Sequence, residues 1–196
     1  ELAILDICFG LGYNTFSTLY FYTLFGLPCR LIIYSPEIDE KMLNNLTYFP
    51  YPKEFENLAL PEILYNLLTK QQYSTPQLHI DLFIGNAQDY LKMFAKQSID
   101  IIYHDAFSPK ENPSLWSTEF FGDLSLLLKQ DGILSTYSQS RVIRHRALSQ
   151  GFLVYDCKAK LRDIRAGSLM SKQDISHNAL LSQFYHLKPW SKPILH

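Results

Sequence analysis

With 196 residues, 47% of them hydrophobic and 14% aromatic, the chain is long enough for a single folded domain with a full core. Its net charge of −1 gives no overall bias toward nucleic acid, and no uncharged apolar run reaches the roughly 18 residues of a membrane span. The three cysteines, Cys8, Cys29 and Cys157, are odd in number and lack Cys-x-x-Cys spacing, which fits reduced thiols in a cytoplasm better than a disulfide framework.

Leu2–Ile7 reads as a buried parallel strand, followed by a helix over Tyr13–Phe25. Between them lies Asp6-Ile-Cys-Phe-Gly10-Leu-Gly12-Tyr-Asn14, a strand, glycine turn and helix start of the kind that cradles nucleotide-like ligands. Cys8 stands where such loops often carry a glycine, and Thr15 where the dinucleotide fingerprint would place its last one. Arg30–Tyr34 reads as a second strand, and Pro36 to Asp39 opens a helix. The proline-rich stretch 48–76, helical near Leu60–Leu68, reads as an insertion or lid. Strands over Leu78–Ile84, Ile99–His104 and Asp131–Tyr137 alternate with helices over Ala87–Ala95, Trp116–Leu128 and Arg141–Ser149. Phe152–Cys157 and Ala166–Met170 pair as a closing hairpin, and residues 187–196 form an irregular tail. Repeated β-α units imply one doubly wound α/β domain with its ligand at the carboxyl ends of the strands.

Several polar residues fall at those ends. Glu37 lies 25 residues beyond Gly12, where an acid accepts ribose hydroxyls or complements a helix start. Asn86 and Ala87 follow the third strand and either read an adenine edge or open a helix, with Asn86 as its cap. Asp105 ends the fourth strand, where a carboxylate can hold an amine or take its proton. No histidines pair at i, i+4, so no metal site is expected. Charge is uneven: residues 1–128 hold 7 Lys and Arg against 15 Asp and Glu, and residues 129–196 hold 11 against 4. That asymmetry fits either a basic face for a polyanion or an uneven solvated surface.

The segment Asp105-Ala-Phe107-Ser-Pro109-Lys-Glu-Asn112-Pro113-Ser-Leu-Trp116 resembles the Asp-Gly-Phe-Ala-Pro-x-x-Asn-Pro-x-x-Trp run of the MnmC family, the tRNA 5-methylaminomethyl-2-thiouridine biosynthesis proteins. The family's glycine turn, Glu-x-Gly-Phe-Gly-x-Gly-x-Asn, is similar at Asp6, Phe9, Gly10, Gly12 and Asn14, with Cys8 replacing a glycine. Asp131-Gly132-Ile-Leu-Ser-Thr136-Tyr-Ser138, Arg144 and Gly151-Phe152 extend the resemblance over most of residues 2–170.

The resemblance implies a class I S-adenosylmethionine-dependent methyltransferase, a Rossmann-like, mostly parallel doubly wound sheet with a C-terminal antiparallel hairpin. It implies methylation of the amine of 5-aminomethyl-(2-thio)uridine at the tRNA wobble position. Asp6, Phe9, Gly10, Gly12, Asn14, Glu37, Asn86 and Ala87 would then hold S-adenosylmethionine, and Asp105 the amine. Phe107, Trp116 and Tyr137 stack on the uridine or belong to the core, and Arg144, Arg162 and Arg165 meet the phosphates of the anticodon arm. The chain has no second glycine-rich βαβ unit for FAD, so the oxidoreductase that exposes the amine would be a separate or fused partner. Two other readings stay open: an amine transferase of the polyamine-synthase type, and a non-catalytic adenosyl-binding domain.

Overall fold

Ile4, Leu5, Asp6 and Ile7 are all buried, so the opening run forms a strand covered on both faces, β1 (Leu2–Ile7). The computed structural model describes residues 1–160 and 167–190, in two compact units, residues 1–93 and residues 94 onward.

In the first unit β1 leads through the glycine turn into α1 (Tyr13–Phe25), which ends at Gly26 in the left-handed conformation. There follow β2 (Leu31–Glu37), α2 (Glu40–Leu43), two 3-10 turns (Leu46–Tyr48 and Lys53–Leu58), α3 (Leu60–Lys70), β3 (Gln72–Ser74), β4 (Leu78–Ile84) and α4 (Ala87–Leu91). The strands run in the order β3-β4-β2-β1. β1, β2 and β4 are parallel, with Leu2 opposite Leu31 and Leu31 opposite Leu78, while β3 is an antiparallel edge. Leu60, Ile63, Leu64 and Leu67 fall on one face of α3 and are buried there.

In the second unit β5 (Ile99–His104) is followed by a 3-10 turn (Pro113–Trp116), α5 (Thr118–Leu127), β6 (Leu128–Thr136) and α6 (Arg141–Ser149). Then come β7 (Leu153–Ala159), β8 (Gly167–Ser171), α7 (Leu181–Phe184) and β9 (Tyr185–Pro189). The order is β5-β6-β8-β7-β9, with β5 and β6 parallel and the rest antiparallel. Parallel strands alternating with helices, then an antiparallel hairpin, are the α/β pattern read from the sequence.

The differences have local causes. β2 runs on to Glu37, because Pro36 and Glu37 stay in register with Phe83 and Ile84 of β4. The helix placed at Pro36 therefore starts later, where the Asp39 carboxylate accepts the Met42 N–H as its cap. Trp116 belongs to a 3-10 turn rather than to α5, which Ser117 caps by accepting the Phe120 N–H. The stretch 48–76 is tied down: Tyr51 and Phe55 pack on Phe16 of α1, and β3 extends the sheet. The tail taken as irregular from residue 187 instead continues β9 to Pro189, in antiparallel pairing with β7.

Candidate active site

In the first unit the turn after β1 is held in a left-handed path: φ is +70° at Cys8, +56° at Gly10 and +75° at Gly12. A Cβ at Gly10 would meet only the Cys8 carbonyl oxygen, 3.8 Å away, so this side of the turn admits close approach by a ligand. At Gly12 a Cβ would fall 2.5 Å from the Phe16 ring and 2.9 Å from that of Phe9, so glycine there serves the packing of α1. Phe9 itself is buried edge-on against Phe16, and its ring belongs to the core rather than to the ligand surface expected of it.

Asp6 is fully buried and accepts hydrogen bonds from Asn14 Nδ2 at 3.1 Å and Thr15 Oγ1 at 2.9 Å. It pins the first turn of α1 and so shapes the site from beneath, which corrects its assignment as a direct ligand contact. Thr15 is the partner that sequence reasoning missed; its position at the fingerprint's last glycine was the signal.

Glu37, at the end of β2, is 8% exposed. Its carboxylate accepts the Gly10 N–H at 2.9 Å on one oxygen, and the Ile38 and Asp39 N–H groups at 2.8 and 2.9 Å on the other. A carboxylate offers about four acceptor sites, so these three bonds leave room for a hydroxyl. An open glycine face beside an acid at the end of β2 fits an adenosyl ligand. Asn86 is exposed and caps α4, accepting the Gln88 N–H at 2.8 Å, and Ala87 is buried.

In the second unit Asp105 follows β5 directly and is exposed. It lines a cavity of about 400 Å³ with Tyr103, Ser135, Tyr137, Ser168 and Tyr185, over an apolar floor of Ile101, Ile133 and Leu169. Its neighbour His104 points the other way. That ring is fully buried, stacked on Phe121 at 5.5 Å, with Nε2 bonded to the Leu115 carbonyl at 2.8 Å. Burial pushes its pKa down and favours the neutral ring, and neither ring nitrogen is hydrogen-bonded to Asp105.

Two rings strap the loop after Asp105. Trp116 Nε1 donates to the Phe107 carbonyl at 2.5 Å, and Tyr137 Oη donates to that of Ala106 at 3.1 Å. Burial, then the Asp105 charge, raises the Tyr137 pKa and keeps that donor protonated. Trp116 is 0% exposed and therefore offers no stacking face to a base; the loop anchored by it instead presents Phe107, which is 73% exposed. Tyr137 is half exposed.

Arg144 is 4% exposed, which corrects its placement on a phosphate-binding face. Its Nη1 pairs with Asp156 at 2.6 Å, its Nε donates to Ser168 Oγ at 3.0 Å, and its guanidinium lies over the Trp190 ring at 5.5 Å. Arg162 and Arg165 lie outside the described residues. Among the described residues, no helix is long and apolar enough to cross a membrane, and no cluster of three or more His, Cys, Asp or Glu side chains forms a metal site.

A family model described as S-adenosyl-L-methionine-dependent methyltransferase matches residues 51–162. Over 177 residues the chain is 29% identical to the tRNA 5-methylaminomethyl-2-thiouridine biosynthesis bifunctional protein MnmC of Campylobacter fetus, covering 86% of this chain and 28% of that protein. The structure of MNMC2 from Aquifex aeolicus superposes with a TM-score of 0.74 at 29% identity, covering 88% of this chain and 53% of that one. Spermidine synthase from Thermotoga maritima, with a TM-score of 0.52 at 17% identity over 88% of this chain and 54% of that one, shares the fold alone. The chain spans well under half the length of the curated relatives it matches. These likenesses establish the class I, Rossmann-like methyltransferase fold with its C-terminal antiparallel strands, and with the family model matching more than half of the sequence, the chain belongs to the S-adenosyl-L-methionine-dependent methyltransferases of the MnmC type.

Proposed function

We propose that this chain transfers a methyl group from S-adenosylmethionine to the primary amine of 5-aminomethyl-(2-thio)uridine at the tRNA wobble position. The observation that carries the reading is an exposed carboxylate, Asp105, at the end of β5 and on the wall of a cavity large enough for a nucleobase. The MnmC name of its relatives supports the substrate class.

S-adenosylmethionine supplies, when bound, a methyl group made electrophilic by its sulfonium. The protein's work is then to place the two reactants and to remove one proton. The glycine turn, shaped by Asp6 and Asn14, takes the methionine end; Glu37 accepts from the ribose; Asn86 and the backbone at Ala87 read the adenine. An alkylammonium has no lone pair, so Asp105 accepts a hydrogen bond from it and takes or relays a proton before attack. Phe107 offers its exposed ring to the uracil face, and the Tyr137 side chain borders the same cavity. Arg141 and Lys158, exposed cations of the C-terminal part, meet the anticodon-arm phosphates, and Arg162 and Arg165 add charge to the same stretch of sequence. The amine itself comes from an FAD-dependent oxidoreductase acting upstream, fused or separate, and the tRNA substrate makes the protein cytoplasmic.

Incubation with labelled S-adenosylmethionine and tRNA carrying 5-aminomethyluridine tests the reading by nucleoside mass spectrometry. A 5-methylaminomethyl nucleoside is the expected product. Labelling of a free polyamine instead of tRNA would move the protein to the aminopropyltransferase-like class of amine substrates, and cofactor binding with no acceptor at all would make it a non-catalytic adenosyl-binding domain.

A further inference from the structure

Glu37 holds the glycine turn through an N–H group, and a second side chain holds it through a carbonyl. Tyr51 Oη donates to the Leu11 carbonyl oxygen at 2.9 Å, across 40 residues of sequence. That carbonyl belongs to the same peptide unit as the Gly12 N–H, which donates to the Phe9 carbonyl at 2.8 Å. The Leu11–Gly12 peptide is thus fixed at both ends. That plane rotates about ψ of Leu11 and φ of Gly12, and Gly12, the glycine with the freedom to let it turn, caps α1 with no side chain.

The ring that carries the hydroxyl is itself fixed. It sits edge-on to Phe16 with centroids 5.3 Å apart and to Phe49 at 5.0 Å, with Phe55 and Tyr13 beyond. The hydroxyl therefore arrives already aimed. Burial and the nearby Tyr13 raise its pKa, so the group stays a donor over the working range.

We propose that Tyr51 is a positioning residue for the cofactor turn, and that the insertion over residues 48–76 serves to present it; this rests on the reading of the turn as the S-adenosylmethionine site. Tyr51 touches no ligand in this role. It suppresses rotation of the Leu11–Gly12 peptide, so that the turn need not be ordered at the moment of binding.

The test is Tyr51→Phe, which keeps the ring packing and deletes only the hydroxyl. Tyr65→Phe, an exposed phenol on α3 in the same insertion, is the control. Amide exchange over Leu11–Asn14 in the ligand-free protein should quicken by about three- to tenfold, the range for one lost hydrogen bond, and the dissociation constant for S-adenosylmethionine should rise by a similar factor. The melting temperature should fall by no more than the few degrees that one lost hydrogen bond accounts for, the rate at saturating cofactor should stay near wild type, and Tyr65→Phe should change nothing. Unchanged exchange and unchanged affinity in Tyr51→Phe would overturn the proposal. If the wild type binds no S-adenosylmethionine, the functional reading fails by itself, and the exchange measurement still decides whether Tyr51 holds the turn.

Discussion

Replacing Cys8 by glycine should stabilise the protein and leave cofactor binding intact or improved. Cys8 has a φ of +70°, a left-handed conformation in which an L side chain costs about 1–2 kcal/mol, because its Cβ crowds the following carbonyl. Glycine removes that cost but frees the unfolded chain, which returns about 0.5–1 kcal/mol to the unfolded side. The net gain is about 0–1.5 kcal/mol, and at about 2–4 °C per kcal/mol for a chain of this size the melting temperature should rise by up to about 6 °C. Differential scanning calorimetry measures the shift, and titration calorimetry with S-adenosylmethionine measures the affinity. Cys8→Ala is the informative comparison, since it keeps the Cβ and deletes only the sulfur; it should gain nothing. A lower melting temperature for Cys8→Gly, or an equal gain for alanine, would refute the backbone argument and place the energy in contacts of the thiol.

Four further outcomes follow from the same geometry. Glu37→Ala should weaken S-adenosylmethionine binding by about 1–3 kcal/mol through lost charge-assisted hydrogen bonds, and calorimetry showing full affinity in a folded variant would remove Glu37 from the site. Asp105→Asn should slow single-turnover methyl transfer by roughly 10²–10⁴-fold at neutral pH with little loss of stability, as suits an exposed residue; a wild-type rate there would end its catalytic assignment. Arg144→Ala should cost about 1–3 kcal/mol in urea unfolding, because a buried guanidinium loses its place while the half-exposed Asp156 keeps some water, and the salt dependence of tRNA binding should not change. His104 is neutral when folded and takes up a proton on unfolding, so stability should hold above about pH 6.5 and fall below it by up to about 1.4 kcal/mol per pH unit. His104→Gln should flatten that slope, and an unchanged slope would point to other groups.

Much of this was legible in the sequence because it depends on local pattern. The apolar run before Gly10, the helical spacing from Leu60 to Leu67 and the strand over Leu78–Ile84 declare themselves over short windows, and the loop from Asp105 to Trp116 carries its motif in register. The misreadings concern direction and burial. A motif tryptophan looks the same whether it faces a ligand or, like Trp116, spends its N–H on the Phe107 carbonyl beneath the loop. Arg144 adds one positive charge to any count, yet its partners Asp156, Ser168 and Trp190 come from later strands and the segment after β9. Asp6 likewise reads as a ligand-side acid until Thr15 is seen to occupy it from the next helix turn. For Arg144 the partners lie far along the chain, and for Trp116 and Asp6, each bonded nine residues away, the direction in which the side chain turns decides; local spacing encodes neither.

The way β9 closes the sheet bears on how the protein can be cut and tagged. β9 covers the outer side of β7 over Tyr155–Ala159, and the Trp190 N–H continues the ladder onto the Val154 carbonyl at 2.8 Å. A version shortened at residue 184, just ahead of β9, would bare a row of backbone donors and acceptors on a strand that carries buried Val154, Tyr155 and Cys157. Open strand edges of that kind recruit other chains. Such a version should precipitate or self-associate on expression even though every residue assigned to the chemistry is still present, so the boundary of a workable fragment lies beyond Trp190.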